Sequence, residues 1–277
     1  MPESKIRTDA SEPLRNSSSP ELKSSEPLEV LFLYTHPLPK VDTIIDHVNS
    51  LTRGSRHRVH MVNMIGELPA RLDLDRFDVI VIHYSITICL PKHLDIESFA
   101  RIQKATPLKA LFIQDEYRHV DATVQAIHKL GIDVLFTCVP EEEFEKVYPE
   151  EKLPRVRKIN VLTGYVSAEL ISQGCPKPLA GRPIDVGYRA RRLSAWYGEL
   201  GREKWRIGEK FAKDAVAHRL KCDISSREED RIYGREWDKF LVNCRAVLGV
   251  ESGASVFDFS GDIQTKVEAA EASGNQL

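Results

Sequence analysis

Between residues 28 and 166 the sequence alternates short apolar runs with segments whose apolar residues recur at helical spacing. The run 28–36, LEVLFLYTH, is almost continuous in apolar residues, which is typical of a strand buried on both faces of a sheet. The next segment, 40–54, instead repeats its apolar residues every three or four positions. Strands that alternate with helices predict βαβ units and a parallel sheet. We therefore expect a doubly wound, Rossmann-like α/β domain over residues 28–171.

The same two patterns predict the other elements of this domain. Further strands are expected at 58–66, 77–86, 108–116, 132–140 and 156–166. Further helices are expected at 93–105, 119–131 and 141–149.

The segments outside this domain differ from it in composition. Residues 1–27 hold seven Ser and four Pro with almost no large apolar side chain, which predicts a disordered tail. Residues 172–183 are rich in Pro and Gly and predict a linker. Residues 184–277 predict a second Rossmann-like domain with only two or three strands, too few for a complete one. We expect its unfinished sheet to expose an edge at which a partner strand could pair, and residues 268–277 to fray.

The predicted elements of the second domain begin with a strand at residue 184. A helix is expected at 196–220, a strand at 220–225, a helix at 237–244 and a strand at 246–250, before a loop at 251–259 that leads into a last helix.

Composition limits the partners and the location of the protein. A net charge of −2 gives no global attraction to nucleic acid, so any anion site must be local. Five scattered cysteines without a CxxC pair match neither a zinc site nor a disulfide framework, and indicate reduced thiols in the cytoplasm. No apolar stretch is long enough for a membrane span, and no signal peptide is visible. We expect neither a metal nor another cofactor.

Polar side chains follow the predicted strands of the first domain, at the edge where open α/β sheets bind ligands. Such groups could hydrogen-bond a sugar or another polyol, and a carboxylate or imidazole among them could act as a general base. The alternative is that strand ends are polar because they meet water. The base candidates are His36, Asp115 and Glu116, and the other polar residues expected at this edge are His83, Tyr84, Gln114 and Tyr117.

Three nucleotide- or phosphate-binding classes are excluded by the first strand–helix connection. THPLPK follows the first strand and contains no glycine, so neither a GxGxxG fingerprint nor a P-loop is present. A phosphoacceptor receiver domain needs acidic residues after the first and third strands, where this chain has His36 and His83.

The second domain opens with a basic stretch. Residues 182–206 hold six Arg and one Lys against three acidic residues. Gly187 would let a ligand approach the backbone, and Arg189 and Arg191 could bind a diphosphate through bidentate hydrogen bonds. The alternative is a solvated basic loop.

A second glycine-containing turn follows a later strand of this domain. In LGVESGAS, residues 248–255, the side chain of Glu251 and the backbone of Ser252 and Gly253 could hold a polar ligand. An equally good interpretation is a glycine turn with a helix N-cap at Ser252 or Ser255.

These features together resemble glycosyltransferases of the GT-B architecture, which have two Rossmann-like domains. The resemblance spans residues 28–262 and is closest to enzymes of bacterial surface-polysaccharide synthesis. The motifs that carry it are IQDEYR, LFTCVPEEEFEKVYP, NVLTGYV, IDVGYRAR, EKWRIGEKF and LGVESGASVFDF.

The resemblance implies a division of roles between the domains. The first domain would hold the acceptor, with His36, Asp115 and Glu116 as base candidates. The second would hold a nucleotide-diphosphate sugar against Gly187, Arg189 and Arg191 and against residues 251–253, without a bound metal. GT-B enzymes continue with a Phe-Glu-Ala-Ala segment, whereas here VEAAEA comes too early, so the donor domain is expected to be truncated. A non-catalytic binding protein and a sugar-nucleotide epimerase therefore stay as alternatives.

Overall fold

The computed structural model describes residues 26–36, 41–162, 165, 177–251 and 253–274. The predicted tail, up to residue 25, and the first part of the predicted linker, 172–176, lie outside the described residues, as does Ser252. The described chain is α/β, with two parallel sheets of the kind found in Rossmann-like folds.

The first sheet has six parallel strands in the order β2-β1-β3-β4-β5-β6. The strands are β1 Glu29–Tyr34, β2 Arg58–Asn63, β3 Val79–Ile82, β4 Leu108–Phe112, β5 Val134–Thr137 and β6 Arg157–Asn160. The helices that alternate with them are α1 Asp42–Gly54, α2 Ile96–Lys104, α3 Val120–Leu130 and the short α4 Phe144–Val147.

Burial on both faces accounts for the apolar strands of this sheet. All residues of β1 from Val30 to Tyr34 are buried, and Leu33 pairs with Val62 on one side and Ile82 on the other. Apolar side chains on the two faces of the sheet form two core clusters. The strand β1 therefore lies at the centre of the folded unit, as its continuous apolar sequence predicted.

Local signals set the helix ends. The carboxylate of Asp95 accepts the Ser98 N–H at 2.7 Å, so α2 begins at Ile96, later than the predicted start at residue 93. Gly131 closes α3 in the left-handed conformation, with φ 66°, which a side chain would strain.

The second sheet has three parallel strands in the order β8-β7-β9. The strands are β7 Ile184–Arg189, β8 Cys222–Ser225 and β9 Cys244–Val247. The helices are α5 Gly198–Ala215, α6 Arg235–Asn243 and α7 Asp262–Ala272. Among the described residues, the prediction of a small second sheet is confirmed, and β9 is an edge strand whose Val247 is 52% exposed.

Two predicted boundaries in this part were wrong. The helix predicted at 196–220 is preceded by a 3-10 turn, and Arg219 stops it in the left-handed conformation with φ 53°. The segment from residue 268 was expected to fray, but it is helical up to Ala272 within α7. The reason is a contact near the end of the helix: the Glu271 carboxylate accepts the Ser194 hydroxyl at 2.7 Å and the Ala195 N–H at 2.8 Å. At the start of α7 the buried Asp258 carboxylate accepts three N–H groups, those of Gly261, Ile263 and Gln264.

None of the helices in the described part of the chain is both long and apolar enough to cross a membrane.

Candidate functional site

A cavity of about 700 Å³ opens at the carboxyl end of the first sheet. The strand order reverses direction between β1 and β3, and open α/β sheets bind ligands at such a switch point. The walls come from α1, from the loops after β3 and β4, and from the start of α3. Of the predicted acceptor-side residues, the structure places Tyr84, Gln114, Asp115 and Glu116 in the lining.

His83 lies behind this lining, fully buried, and belongs to a hydrogen-bonded chain. The Thr35 N–H donates to the Ser85 hydroxyl at 2.9 Å, and that hydroxyl lies 2.9 Å from Nδ1 of His83. On the other side of the ring, Nε2 of His83 lies 2.9 Å from Nδ1 of His47, a residue of α1 that lines the cavity. Burial, and then the neighbouring His47, lower the pKa of His83 to about 3, and burial also lowers the pKa of His47. Both rings are therefore neutral near pH 7.

The hydrogen bonds define which ring nitrogens carry protons. The Ser85 N–H donates to Nδ1 of His83 at 3.1 Å, so this nitrogen is an acceptor and the proton of His83 lies on Nε2. That proton is donated to Nδ1 of His47, which leaves the proton of His47 on its own Nε2. No described residue forms a hydrogen bond with Nε2 of His47, and this atom is not buried away from the cavity. His47 thus offers a fixed N–H donor to the cavity.

Glu116 is buried and its carboxylate is already surrounded by donors. It accepts hydrogen bonds from the Thr137 hydroxyl, from the Tyr148 hydroxyl at 2.6 Å and from the Cys138 N–H at 2.9 Å. Burial raises the pKa of Glu116, whereas these hydrogen bonds act in the opposite direction. With its oxygens engaged, Glu116 is placed to stabilise the loop after β5 rather than to receive a proton from a ligand.

Asp115 is the most available carboxylate in the cavity. Its side chain is exposed, and its backbone has a φ of 59°, a left-handed conformation uncommon for residues other than glycine. His119, in the same loop, has a φ of 54°. Strained backbone of this kind persists where the surrounding structure imposes it and is frequent at binding sites.

Tyr117 points away from the cavity and towards the second half of the chain. Its ring packs against Trp196 and Tyr197, with centroid distances of 6.0 and 5.6 Å, and its hydroxyl interacts with Asp115 and Tyr197. Its carbonyl accepts the Asp258 N–H at 2.8 Å. Burial, with the nearby Asp115, raises the pKa of Tyr117. Tyr117 therefore connects the cavity loop to the second sheet's unit.

His36, the remaining base candidate, lies apart from the described lining of the cavity. It is exposed, and its backbone N–H donates to the side chain of Asn63, the last residue of β2, at 3.0 Å.

Arg189 makes a set of contacts inside the fold that the sequence did not predict. The guanidinium donates to Asp223 Oδ1 at 2.7 Å and to the Asp223 carbonyl at 3.0 Å. It also donates to the carbonyls of Tyr188 and Asp230, and it lies over the Phe240 ring at 4.6 Å. These bonds use one N–H of Nε, two of Nη1 and one of Nη2, four of the five that a guanidinium has. Little capacity is left for a diphosphate.

Gly187 was predicted to admit a ligand, but helix packing occupies the space beside it. A Cβ built there would lie 2.7 Å from the Phe240 ring and still closer to Cys244 Sγ. The glycine is needed because the end of α6 and the start of β9 pack against the middle of β7.

The other donor-side candidates lie at the surface. Arg191 lines a shallow groove beyond the carboxyl ends of β7 and β8, together with two arginines, a serine and three glutamates: Arg192, Arg227, Ser226, Glu209, Glu228 and Glu229. Arg192 pairs with Glu209, and Arg227 pairs with Asp230. Glu251 is exposed, and Gly253 has a φ of 111° with open space beside it. The predicted N-cap Ser255 caps a different helix, because its hydroxyl accepts the Leu200 N–H of α5 at 2.9 Å.

We compared the chain with known proteins. No family model, curated protein or solved structure matches it. Within the described ranges, no group of three or more His, Cys, Asp or Glu side chains is arranged to hold a metal ion. The functional argument therefore rests on the geometry of the cavity.

Two cavity residues were missed by the sequence interpretation. His47 lies three positions after Ile44 and four before Leu51, so a polar residue on the apolar face of α1 was a usable signal. Arg118 follows the QDEY segment directly and lines the same cavity. It was the cation nearest to the predicted acceptor residues in the sequence.

Proposed function

We propose that the protein is a glycosyltransferase that binds a hydroxyl-bearing, glycan-type acceptor in the cavity of the first sheet and takes its sugar from a nucleotide-diphosphate donor. The observation that carries this proposal is the convergence of polar side chains in a cavity at the switch point of a parallel sheet. Its volume is in the range of small-molecule sites.

Within this proposal Asp115 is the general base. It combines an exposed carboxylate with a position in the lining, and the Tyr117 hydroxyl orients it. The carboxylate would take the proton of the acceptor hydroxyl while the oxygen attacks the anomeric carbon and the nucleotide diphosphate departs. His47 is unsuited to this role in its resting state, because its cavity-facing nitrogen carries a proton.

The donor is assigned to the carboxyl end of the second sheet, in the groove that contains Arg191 and Arg227. Arg191, which forms no ion pair with a described residue, would stabilise the negative charge of the departing diphosphate there, because Arg192 and Arg227 are already paired with carboxylates. In this arrangement Arg189 does not contact the donor and instead holds β8 and the loop after it in place, through its bonds to Asp223 and Asp230. The GT-B architecture, with one substrate on each sheet, would bring the two reacting groups together.

The test measures binding and transfer separately. Uridine and guanosine diphosphates and their sugar derivatives should raise the melting temperature. At a ligand concentration of 100 times Kd, binding stabilises the folded state by about 2.7 kcal/mol. Arg191→Ala should remove this shift, whereas the exposed Arg71→Ala should keep it. Asp115→Asn should abolish transfer to a sugar acceptor without weakening nucleotide binding. An unchanged melting temperature with every nucleotide sugar would argue against the proposal.

A non-catalytic binding protein is the second candidate. The specific observation in its favour is Arg189, whose donors are mostly used within the fold. In that case sugars should bind the cavity, nucleotide diphosphates should not stabilise the protein, and Arg191→Ala should have no effect on binding.

A further inference from the structure

Arg118 is a cation that lines the cavity and forms no ion pair with any residue that the structure describes. Its only side-chain contact within the described chain is Nη2 to Nε2 of His119, at 3.2 Å. Burial, followed by the charge of Arg118, lowers the pKa of His119, so the imidazole is a neutral acceptor for this bond. Most of the guanidinium N–H groups therefore have no acceptor among the described residues, although the side chain is half-buried.

Nearby carboxylates do not neutralise Arg118. Asp258 is joined to its backbone by a bridge, but the Asp258 carboxylate caps α7 with three hydrogen bonds. Glu116 is held by Thr137, Tyr148 and the Cys138 N–H. Asp115 lines the cavity as well, but it forms no ion pair with Arg118.

A second cation lies close to the same opening. Lys92 is exposed, and besides burial its charge helps to lower the pKa of both His93 and His119. For His119 its effect comes after those of burial and Arg118, and after the opposing charges of Asp258 and Glu268. The surroundings of His119 thus have two cations, Arg118 and Lys92, and two carboxylates, Asp258 and Glu268. Both carboxylates accept hydrogen bonds from Gln264 of α7.

We infer that the ligand of this cavity is an acidic sugar, whose carboxylate or phosphate binds Arg118 while its hydroxyls face Asp115 and the N–H donor of His47. A half-buried guanidinium without a protein counter-charge favours an anion, because it presents several N–H groups in the geometry that carboxylates and phosphates accept. The uncharged end of the ligand then meets the groups suited to hydroxyls. This inference rests on the proposed function, because it names the class of acceptor for the same cavity.

Calorimetric titration tests the inference with four probes: glucose, glucuronate, glucose 6-phosphate and inorganic phosphate. The first three share their ring and differ in the group at carbon 6, so any difference in Kd reports that group. We expect one or both charged sugars to bind at least about tenfold more tightly than glucose, as a charge-assisted hydrogen bond provides. Comparison of glucuronate with glucose 6-phosphate tells a carboxylate site from a phosphate site.

Variants tie the preference to the arginine. Arg118→Gln should reduce the binding of both charged sugars to the level of glucose and leave glucose binding unchanged. Arg118→Lys should keep a preference for charged sugars. Arg71→Gln, an exposed arginine outside the lining, should behave like the wild type. Circular dichroism checks that each variant is folded.

Three results would overturn the inference: equal binding of glucose and the charged sugars, a preference that survives in Arg118→Gln, or no binding of any probe. Tight binding of inorganic phosphate with no preference among the sugars would also count against it, because it would describe an anion site without a sugar site. No nucleotide is used, so the outcome is independent of donor binding. If transfer is never observed but the charge preference is, only the transferase proposal fails.

Discussion

The two sheets start with the same topology, and they use their charged residues differently. The order β2-β1-β3 in the first sheet is repeated as β8-β7-β9 in the second. In the first, three more strands and their helices bury the centre, and Arg118 is left facing a cavity. In the second, the corresponding centre is held together partly by Arg189, which bonds to the neighbouring strand and lies over an aromatic ring. Arg189 is therefore engaged within the fold, whereas Arg118 forms no ion pair with any described residue.

This difference extends to the central strands. In β1 the burial is apolar on both faces, whereas β7 includes Asp185 and Arg189, and both of them form ion pairs. The edge strand β9 has only Cys244 fully buried. Stability in the second sheet should therefore depend on polar contacts, and stability in the first on apolar packing.

The largest expected effect tests apolar packing in the first sheet. Phe32→Ala removes a fully buried side chain from β1 and should lower the free energy of unfolding by about 3–5 kcal/mol, because it leaves a cavity in the core. Val247→Ala on the edge strand β9 is the matched change, and it should cost about 0.5 kcal/mol or less. Urea unfolding followed by circular dichroism measures both. A cost of about 2 kcal/mol or more for Val247→Ala would instead indicate that a partner strand covers β9 in solution, as the predicted exposed edge allows.

The next effect tests whether Arg189 is structural. Arg189→Ala should lower the free energy of unfolding by about 2–3 kcal/mol, because it removes hydrogen bonds to Asp223 and leaves their acceptors unpaired in a partly buried position. Arg191→Ala should change it by no more than about 0.5 kcal/mol. All three tryptophans, at 196, 205 and 237, lie in the second half of the chain, so their fluorescence reports this unit.

The opposite ranking would sharpen the functional question. If Arg189→Ala leaves stability unchanged but abolishes the binding of nucleotide diphosphates, the guanidinium is released from Asp223 when a donor binds. The contacts described here would then belong to the ligand-free state alone.

The sequence predicted the strands of the first sheet well because burial on both faces leaves a direct signal in it. Their ends were predicted less well. A strand was predicted at 77–86, but β3 spans only Val79–Ile82, and residues 84–88 after it line the cavity. An apolar run continues past the last strand residue because the next side chains, such as Ile86, are also buried.

The candidate site was predictable only where it follows strand ends. Tyr84, Gln114 and Asp115 come directly after strands, so parallel topology alone brings them together. The bond between His47 and His83 joins residues 36 positions apart, and no spacing rule relates them. Likewise, the sequence around Arg189 is compatible with both roles of its side chain, binding a phosphate and pairing with Asp223. Its role depends on the register between β7 and β8, which only the structure supplies.

The smallest predicted effect is a loss of stability at low pH that comes from His83 in the first sheet's unit and not from the second. Folded His83 has a pKa of about 3, whereas its ordinary value is 6.5. Below about pH 6.5 the His83 imidazole takes up a proton in the unfolded chain but stays neutral in the folded one. The contribution of His83 to the free energy of unfolding is therefore fully present above about pH 6.5 and is lost as the pH falls towards 3. Between pH 7 and pH 5 this loss is about 2 kcal/mol for His83. His47 adds to it, because burial lowers its pKa as well.

Urea unfolding at both pH values, for the wild type and His83→Phe, measures this contribution. The variant should lose about 2 kcal/mol less than the wild type between pH 7 and pH 5, whatever it costs at pH 7. Glu116, whose pKa is raised by burial, acts in the opposite direction but is common to both proteins and cancels in the difference. His218→Gln, an exposed histidine of the second half, should keep the wild-type loss. If His83→Phe keeps it too, His83 is protonated in the fold, and the assignment of His47 as an N–H donor to the cavity fails with it.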